Sequence, residues 1–141
     1  ASRLAVLSAC ETGWTDITDL TDEYVGLPSG FLFAGSQAVV SSLWPVDDVS
    51  TSIMMMEMYA RLAESGPGDR AVTRALCGAQ QWMRQATAEE LTAWIGRREG
   101  LTGEQRMKLK IALRQAANAA PSGTPPFANP YHWAPFRVVG D

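Results

Sequence analysis

The chain contains very few residues that carry soft metal-binding or acid–base chemistry. Its 141 residues include two cysteines, Cys10 and Cys77, and a single histidine, His132. Two cysteines do not make a disulfide framework, and these three residues do not have the spacing of a zinc site. We therefore predict no metal and no disulfide core, and we expect the reducing environment of the cytoplasm.

Long apolar runs and a dominant positive charge are also missing. No uninterrupted apolar stretch approaches the roughly 20 residues that a membrane-spanning helix needs. The net charge of −3 and the pI near 5.1 disfavour a nucleic-acid surface, which requires a clustered basic face. We expect neither a membrane nor a nucleic acid as partner. The basic residues between positions 97 and 114 alternate with apolar ones, which is typical of the solvated side of a helical hairpin.

The chain has enough apolar material for one globular domain. Its mass is 15.3 kDa, 46% of its residues are hydrophobic, and the mean hydropathy is −0.09. A domain of this size buries roughly two-thirds of the surface of its unfolded chain. The sequence therefore supports a packed core, and the alternation of strand and helix patterns described next favours an α/β fold.

Three segments have the pattern of β-strands. Residues 4–9 form a continuous apolar run, typical of a central strand buried on both faces, and residues 37–44 form a second one. Residues 133–140 close the chain as a last strand, which Pro135 confines to a sheet edge or to an irregular start. A sheet of only these strands leaves the flank of the first one unpaired, so we predict that more of the domain precedes Ala1.

Helical patterns fill the intervening segments. The first helix after the second strand has apolar residues at helical spacing, namely Val49, Ile53, Met56, Ala60 and Ala63. A second helix is expected to begin with Asp69 as its N-cap. Thr87 and Thr102 each begin a capping-box pattern, which predicts two further helices in a hairpin that ends near Ala117.

Cys10 lies in the stretch LAVLSACETGW, directly after the first predicted strand. The carboxyl ends of strands are where the sites of open α/β sheets gather, so this position suits a nucleophile. A free thiol titrates near ~8.5 and attacks as the thiolate, so activity requires a neighbouring imidazole or positive dipole. The alternative is a small buried side chain without chemistry. Cys77 lies in a plain helical segment, and we interpret it as packing.

Four ordered blocks now make the sequence specific: VLSACETG, LPSGFLFAGSQAVVSSLWPVDD, ALCGAQQWM and NPYHWAPFRVVGD. Together they resemble the C-terminal part of a CHAT domain, the caspase-like domain often found beside tetratricopeptide repeats. The resemblance covers residues 1–141, with 86–128 as a variable helical hairpin and proline-rich loop. It implies a caspase-like α/β sandwich of a mostly parallel sheet with helices on both faces, here without its N-terminal strands.

The resemblance also implies a function. CHAT domains are cysteine endopeptidases with a Cys–His dyad, and Cys10 matches the family nucleophile. The family histidine stands in a His-Gly pair that would precede Ala1, so we expect this segment alone to be inactive. No cofactor is implied. The expected partners are a protein or peptide substrate, the N-terminal remainder of the domain, and sensor repeats that regulate it in a bacterial-type system.

Five residues are candidates for binding the substrate: Glu11, Ser42, Trp44, Asp47 and Asp48. Ser42 and Trp44 end the second strand, where caspase-like proteins add the substrate as a strand, although Trp44 fits the core equally well. Glu11 or one of the two aspartates would face a basic substrate side chain, and the alternative for Asp47 and Asp48 is a helix cap.

Two alternatives to this function follow from the residues. The first is a non-catalytic caspase-like interaction or regulatory module, in which Cys10 is only a packed side chain. The second, a nucleotide-binding domain, is disfavoured because SACETG is neither a GxGxxG motif nor a P-loop. His132 stands where the family more often has an aromatic residue, so we interpret it as packing and not as a substitute base.

Overall fold

The three predicted strands form a single mixed sheet. A computed structural model describes residues 3–7, 28–66 and 68–141 of the chain. Within these ranges the strands are β1 (Leu4–Leu7), β2 (Ala38–Ser42) and β3 (Phe136–Gly140), in the order β1-β2-β3. β1 runs parallel to β2, whereas β3 runs antiparallel to it. The predicted α/β class is confirmed, and the predicted parallel arrangement holds for the first pair of strands.

β2 is the central strand of the described sheet. All five of its residues are buried, whereas the four residues of β1 are half-buried. β1 was expected to be central, but within the described residues it pairs only with β2. Positions 8 and 9, which the strand prediction included, lie outside the described residues. β3 lies at the other edge of the described sheet, as Pro135 predicted, but it begins at Phe136, so residues 133–135 of the predicted strand do not belong to it.

Five helices and one short turn accompany the sheet in the described ranges. They are residues 28–33 (α1), Asp48–Ser65 (α2), Ala71–Gln85 (α3), Ala88–Arg97 (α4), Gly103–Ala119 (α5) and the 3-10 turn Pro130–His132 (η1). α2 packs against α3, and both share a core with one face of the sheet through Ala38, Val40 and Phe136. None of the described helices has the length and apolar character to cross a membrane.

The buried side of α2 differs from the predicted one. The prediction included Met56, which is half-buried, and Ala63, which is exposed. The structure instead buries Ser50, Thr51, Ile53, Met54, Glu57 and Met58. Glu57 tolerates burial because Arg61 donates to it at 2.8 Å and the indole of Trp94 donates at 2.7 Å. A charge with two hydrogen-bonding partners loses much of the penalty of burial.

The hairpin of α4 and α5 is confirmed with both capping boxes. At Thr87 and Thr102 the hydroxyl accepts from the third residue of the helix, whose side chain accepts from the cap backbone in return. The hairpin is also closed at the end of α4. There the Arg106 guanidinium donates to the carbonyls of Gly96 at 2.7 Å and Arg98 at 2.9 Å. A cation at this position satisfies carbonyls that lack partners within the helix.

The start of α3 is capped from a distant part of the chain. The predicted cap, Asp69, is wrong: the N-cap is Arg70, which is left-handed with φ 53° and has no capping side chain. The carboxylate of Asp141 takes the role, accepting from the amides of Thr73 at 2.8 Å and Val72 at 3.5 Å. An acidic group at a helix N-terminus also complements the helix dipole. The end of β3 is thereby fixed to α3.

Gln80 fixes the start of β3 to the same helix. Its Nε2 donates to the carbonyls of Trp133 at 2.9 Å and Phe136 at 3.0 Å. Cys77, one turn earlier, is exposed and lines a shallow pocket beside Arg84, so its interpretation as packing is wrong. It lies off the buried side of α3, and no neighbouring element covers it among the described residues.

Candidate functional site

The carboxyl ends of β1 and β2 lie at one edge of the sheet. The two strands are parallel, and Leu7 at the end of β1 pairs with Ser41. In the sequence, Cys10 follows Leu7 by three positions. Cys10 and Glu11 themselves lie outside the described residues. The structure therefore describes the edge and the other candidates, and the placement of these two residues stays a prediction.

A loop that leads into β3 borders this edge. Residues 129–135, called the edge loop below, include η1 and end one residue before β3. The amide of Leu43 donates to the carbonyl of Pro135 at 3.0 Å. The indole N–H of Trp44 donates to the carbonyl of Tyr131 at 3.3 Å. These two bonds hold the edge loop beside the end of β2.

Ser42 and Trp44 both lie where β2 meets the edge loop. Ser42 is buried and pairs with Phe136, and Trp44 packs against the core while remaining partly exposed. The backbone of β2 is bonded on both sides, by β1 and by β3. The amide of Leu43 is bonded as well, to the carbonyl of Pro135.

Asp47 caps the helix that follows the edge, as the sequence alternative predicted. Its Oδ2 accepts from the amide of Ser50 at 2.9 Å, and its carbonyl accepts from the Ser50 hydroxyl at 3.0 Å. Asp48 occupies the first turn of α2, and both aspartates are exposed. Neither takes part in an ion pair with the described residues. Capping leaves their negative charge available to a ligand.

His132 is held in the edge loop by aromatic rings. Its ring meets Phe127 edge-on at 5.1 Å and Tyr131 at 5.5 Å between centroids, which confirms the expected packing. Its Nδ1 is buried and has no hydrogen-bond partner in the part of the chain that the structure describes. Burial lowers the pKa of His132, and the nearby carboxylate of Asp47 partly opposes this effect. The imidazole is thus held in its neutral form near neutral pH.

The lowered pKa of His132 predicts a loss of stability in mild acid. Below pH ~6.5 the unfolded chain binds a proton at His132 while the folded chain resists it, so the free energy of unfolding falls. The fall continues until the pH passes the folded-state pKa. Denaturant unfolding between pH 7.5 and 5.5 should show this slope, and His132→Gln should reduce it. His132 is the only histidine of the chain, so equal slopes in both proteins would contradict the assignment.

A comparison with protein families shows which family the chain belongs to. The model of the CHAT domain matches residues 1–141, the whole chain. The chain belongs to the CHAT domain family. This confirms the resemblance seen in the sequence, and it places the mixed α/β fold in a caspase-like, peptidase-related family. No curated protein and no solved structure is significantly similar to the chain.

Sequence reasoning missed the edge loop of this CHAT domain. The bond between Trp44 and Tyr131 joins residues 87 positions apart, and no local pattern indicates such a pair. The local turn itself has a signal. Asn129 precedes Pro130, and the Asn129 Oδ1 accepts from the amide of Tyr131 at 3.0 Å to begin η1. An Asn-Pro pair is a recognised start of a turn.

Proposed function

We propose that this chain is the C-terminal portion of a caspase-like cysteine endopeptidase domain with Cys10 as its nucleophile. One observation carries the proposal. The chain is a CHAT domain, and Cys10 comes three residues after the end of β1 in its sequence. The carboxyl end of β1 lies beside that of β2. A thiol at that sequence position is suited to meet a substrate at the sheet edge, where Trp44 and Asp47 also lie.

The proposed reaction proceeds in two steps. The Cys10 thiolate attacks the carbonyl carbon of a peptide bond, and the tetrahedral oxyanion collapses as the amine leaves with a proton from an imidazolium. A thioester remains on Cys10. Water then loses a proton to the imidazole as it attacks the thioester, and the new carboxylic acid and the thiolate separate. These steps require no cofactor.

His132 does not fit the role of the base. Its ring packs edge-on to Phe127 and Tyr131, and its Nδ1 is enclosed by protein. A general base must come within hydrogen-bond reach of the proton that it accepts. The proposal therefore assigns the base to a histidine upstream of Ala1, and it predicts that the chain Ala1–Asp141 alone is inactive.

The exposed carboxylates favour a substrate with a basic side chain next to the scissile bond. Asp47 and Asp48 bring two charges near the end of β2, and they form no ion pair with described residues. A cation could approach the second carboxylate oxygen of Asp47, since in the part of the chain that the structure describes only Oδ2 is engaged, by the cap. Glu11 is the third candidate for this contact. An ionic contact of this kind selects between substrates more than it adds affinity.

A pair of peptidyl electrophiles tests both parts of the proposal. The probes are acyloxymethyl ketones that end in arginine or in leucine, applied to a longer protein that carries the upstream segment and has received its activating signal. We expect labelling that is lost in Cys10→Ala and faster labelling by the arginine probe. The chain Ala1–Asp141 alone should stay unlabelled. Asp47→Asn should lower the preference for arginine about ten-fold, a difference of ~1.4 kcal/mol.

The Asp47→Asn variant is a matched control for stability. Asparagine caps helices about as well as aspartate, so the free energy of unfolding should hardly change while the charge is lost. If the activated longer protein labels no faster than the chain alone, the cysteine mechanism is wrong. The non-catalytic interaction module would then be the better account. An unchanged preference in Asp47→Asn, together with labelling at Cys10, would refute only the role of Asp47.

A further inference from the structure

The outer side of α5 carries two large apolar side chains that are more than half exposed. Met107 is 60% exposed and Ile111 is 53% exposed. They are four positions apart, so they lie one above the other on the same face of the helix. Leu109 and Leu113 point to the opposite side and pack in the core. The apolar residues of this basic segment are thus divided between the core and the solvent.

Cations flank the exposed apolar pair. At 100° per residue, Lys110 and Arg114 lie on one side of the pair and Lys108 lies on the other. Lys108 is bonded to Glu104 at 2.6 Å, and both are about three-quarters exposed. Neither Lys110 nor Arg114 forms an ion pair with a residue of the described ranges. We call the set Met107, Lys108, Lys110, Ile111 and Arg114 the outer α5 face.

The charge of this region is opposite to that of the remaining chain. Between positions 97 and 114 there are six cationic residues and two acidic ones, a net charge of +4. The whole chain has a net charge of −3, so the other positions together carry −7. The segment from the end of α4 through most of α5 is therefore cationic and partly apolar on an acidic protein. Opposite charges on a partner would be attracted to it specifically.

We infer that the outer α5 face binds an acidic amphipathic helix of another polypeptide. A helix with apolar residues at positions four apart presents a row that packs against Met107 and Ile111. Acidic residues beside that row would face Lys110 and Arg114 on one side and Lys108 on the other, as in the flanking charges of a coiled coil. The inference does not depend on Cys10 or on any proteolytic activity.

Other occupants fit the surface less well. Two apolar side chains bury little area in a lipid interface, where binding strength scales with the apolar area that is buried. A second copy that docked by the same face would place like charges opposite one another. The outer α5 face holds no aromatic side chain on which the bases of a nucleic acid could stack. A helix with apolar and acidic residues is complementary to both parts.

Peptide binding tests the inference. The probe is a fluorescein-labelled helical peptide of about 18 residues, with leucines at positions four apart and glutamates on both sides of the leucines. Its fluorescence anisotropy is titrated with the 141-residue chain. We expect binding that weakens as salt rises from about 50 to 300 mM, because exposed ionic contacts are screened. Met107→Gln with Ile111→Gln should weaken binding at least about ten-fold, as should Lys110→Glu with Arg114→Glu.

Matched controls separate the face from general stickiness. Phe33 is 96% exposed and lies in α1, so Phe33→Gln removes an exposed apolar side chain elsewhere and should leave binding unchanged. Circular dichroism of each variant should show the wild-type helix content. Equal binding of a peptide with lysines in place of the glutamates would overturn the inference, as would wild-type binding by the two double variants. Binding to anionic vesicles without binding to the peptide, or self-association that the Met107 and Ile111 changes abolish, would also overturn it.

Discussion

Phe127→Ala is expected to lower the free energy of unfolding by about 3–5 kcal/mol. Phe127 is fully buried and belongs to the core cluster. Replacing it removes a large apolar contact and leaves a cavity that the neighbours fill only in part. Its ring also supports His132 from one side at 5.1 Å, so the edge loop should loosen as well. Urea unfolding followed by tryptophan fluorescence measures the loss.

The control for this change is Phe33→Ala, the same substitution at a position that is 96% exposed. It should change the free energy of unfolding by no more than about 0.5 kcal/mol. Because the two variants lose the same atoms, the difference between them isolates burial. Similar losses at both positions would mean that Phe127 is not part of the core.

Gly140→Ala is expected to cost about 2–4 kcal/mol of unfolding free energy, since two penalties act together. Gly140 has φ 84°, a conformation that strains any residue with a Cβ. A Cβ at this position would also meet the carbonyl oxygen of Gln37 at a distance of 2.3 Å. That oxygen is backbone and accepts from the amide of Asp141 at 2.9 Å, so it cannot move without loss of a bond.

Gly100→Ala separates the two penalties. Gly100 has φ 82°, nearly the same conformation, but a Cβ there would meet no atom within 4 Å. Its cost should be about 1 kcal/mol, from backbone strain alone. The excess at Gly140 then measures the collision with Gln37, together with any loss of the Asp141 cap on α3. Equal destabilisation of the two variants would show that the collision is relieved at no cost.

The parts of the fold that were predictable depend on neighbours in the sequence. The capping boxes at Thr87 and Thr102 join residues three positions apart, and both are present as predicted. The cap at Asp47 is equally local. The strands were recognised from their own composition, and Pro135 indicated that the last one lies at an edge of the sheet. The geometry of such short-range features is determined by residues that are close together in the sequence.

The predictions that failed depend on partners far away in the chain. The burial of Glu57 requires Trp94, 37 positions later, and the sequence of α2 alone favours a different side. Asp69 has the right residue type for a cap, but Asp141 provides it. Asp141 binds the amide of Thr73, which lies 68 positions earlier in the chain. Composition gives no information about which distant group arrives at a helix end. Such contacts follow only from the assembled sheet.

The sequence indicated which strand end borders the candidate site, but it did not indicate that the edge loop lies beside it. The sequence indicated the edge after β2, and Ser42, Trp44 and Asp47 lie at the end of that strand or shortly after it. The edge loop arrives there because β3 is antiparallel, so that its start meets the end of β2. Strand direction at this position is not encoded in the residues of β3 itself. The family resemblance, carried by ordered blocks, was the stronger signal and is confirmed.

Hydrogen bonds join both ends of β3 to α3. Gln80 of α3 holds the start of the strand, and Asp141, directly after the strand, accepts from the amide of Thr73 at the beginning of the same helix. The segment between α3 and the edge loop includes the α4–α5 hairpin. Its length therefore does not determine the register of the sheet. That segment still contributes Leu91, Ile95, Leu113 and Phe127 to the core, so its buried side is constrained by packing while its outer side is not. Insertions on its outer side are therefore expected to leave the edge of the sheet in place, provided that these core residues stay buried.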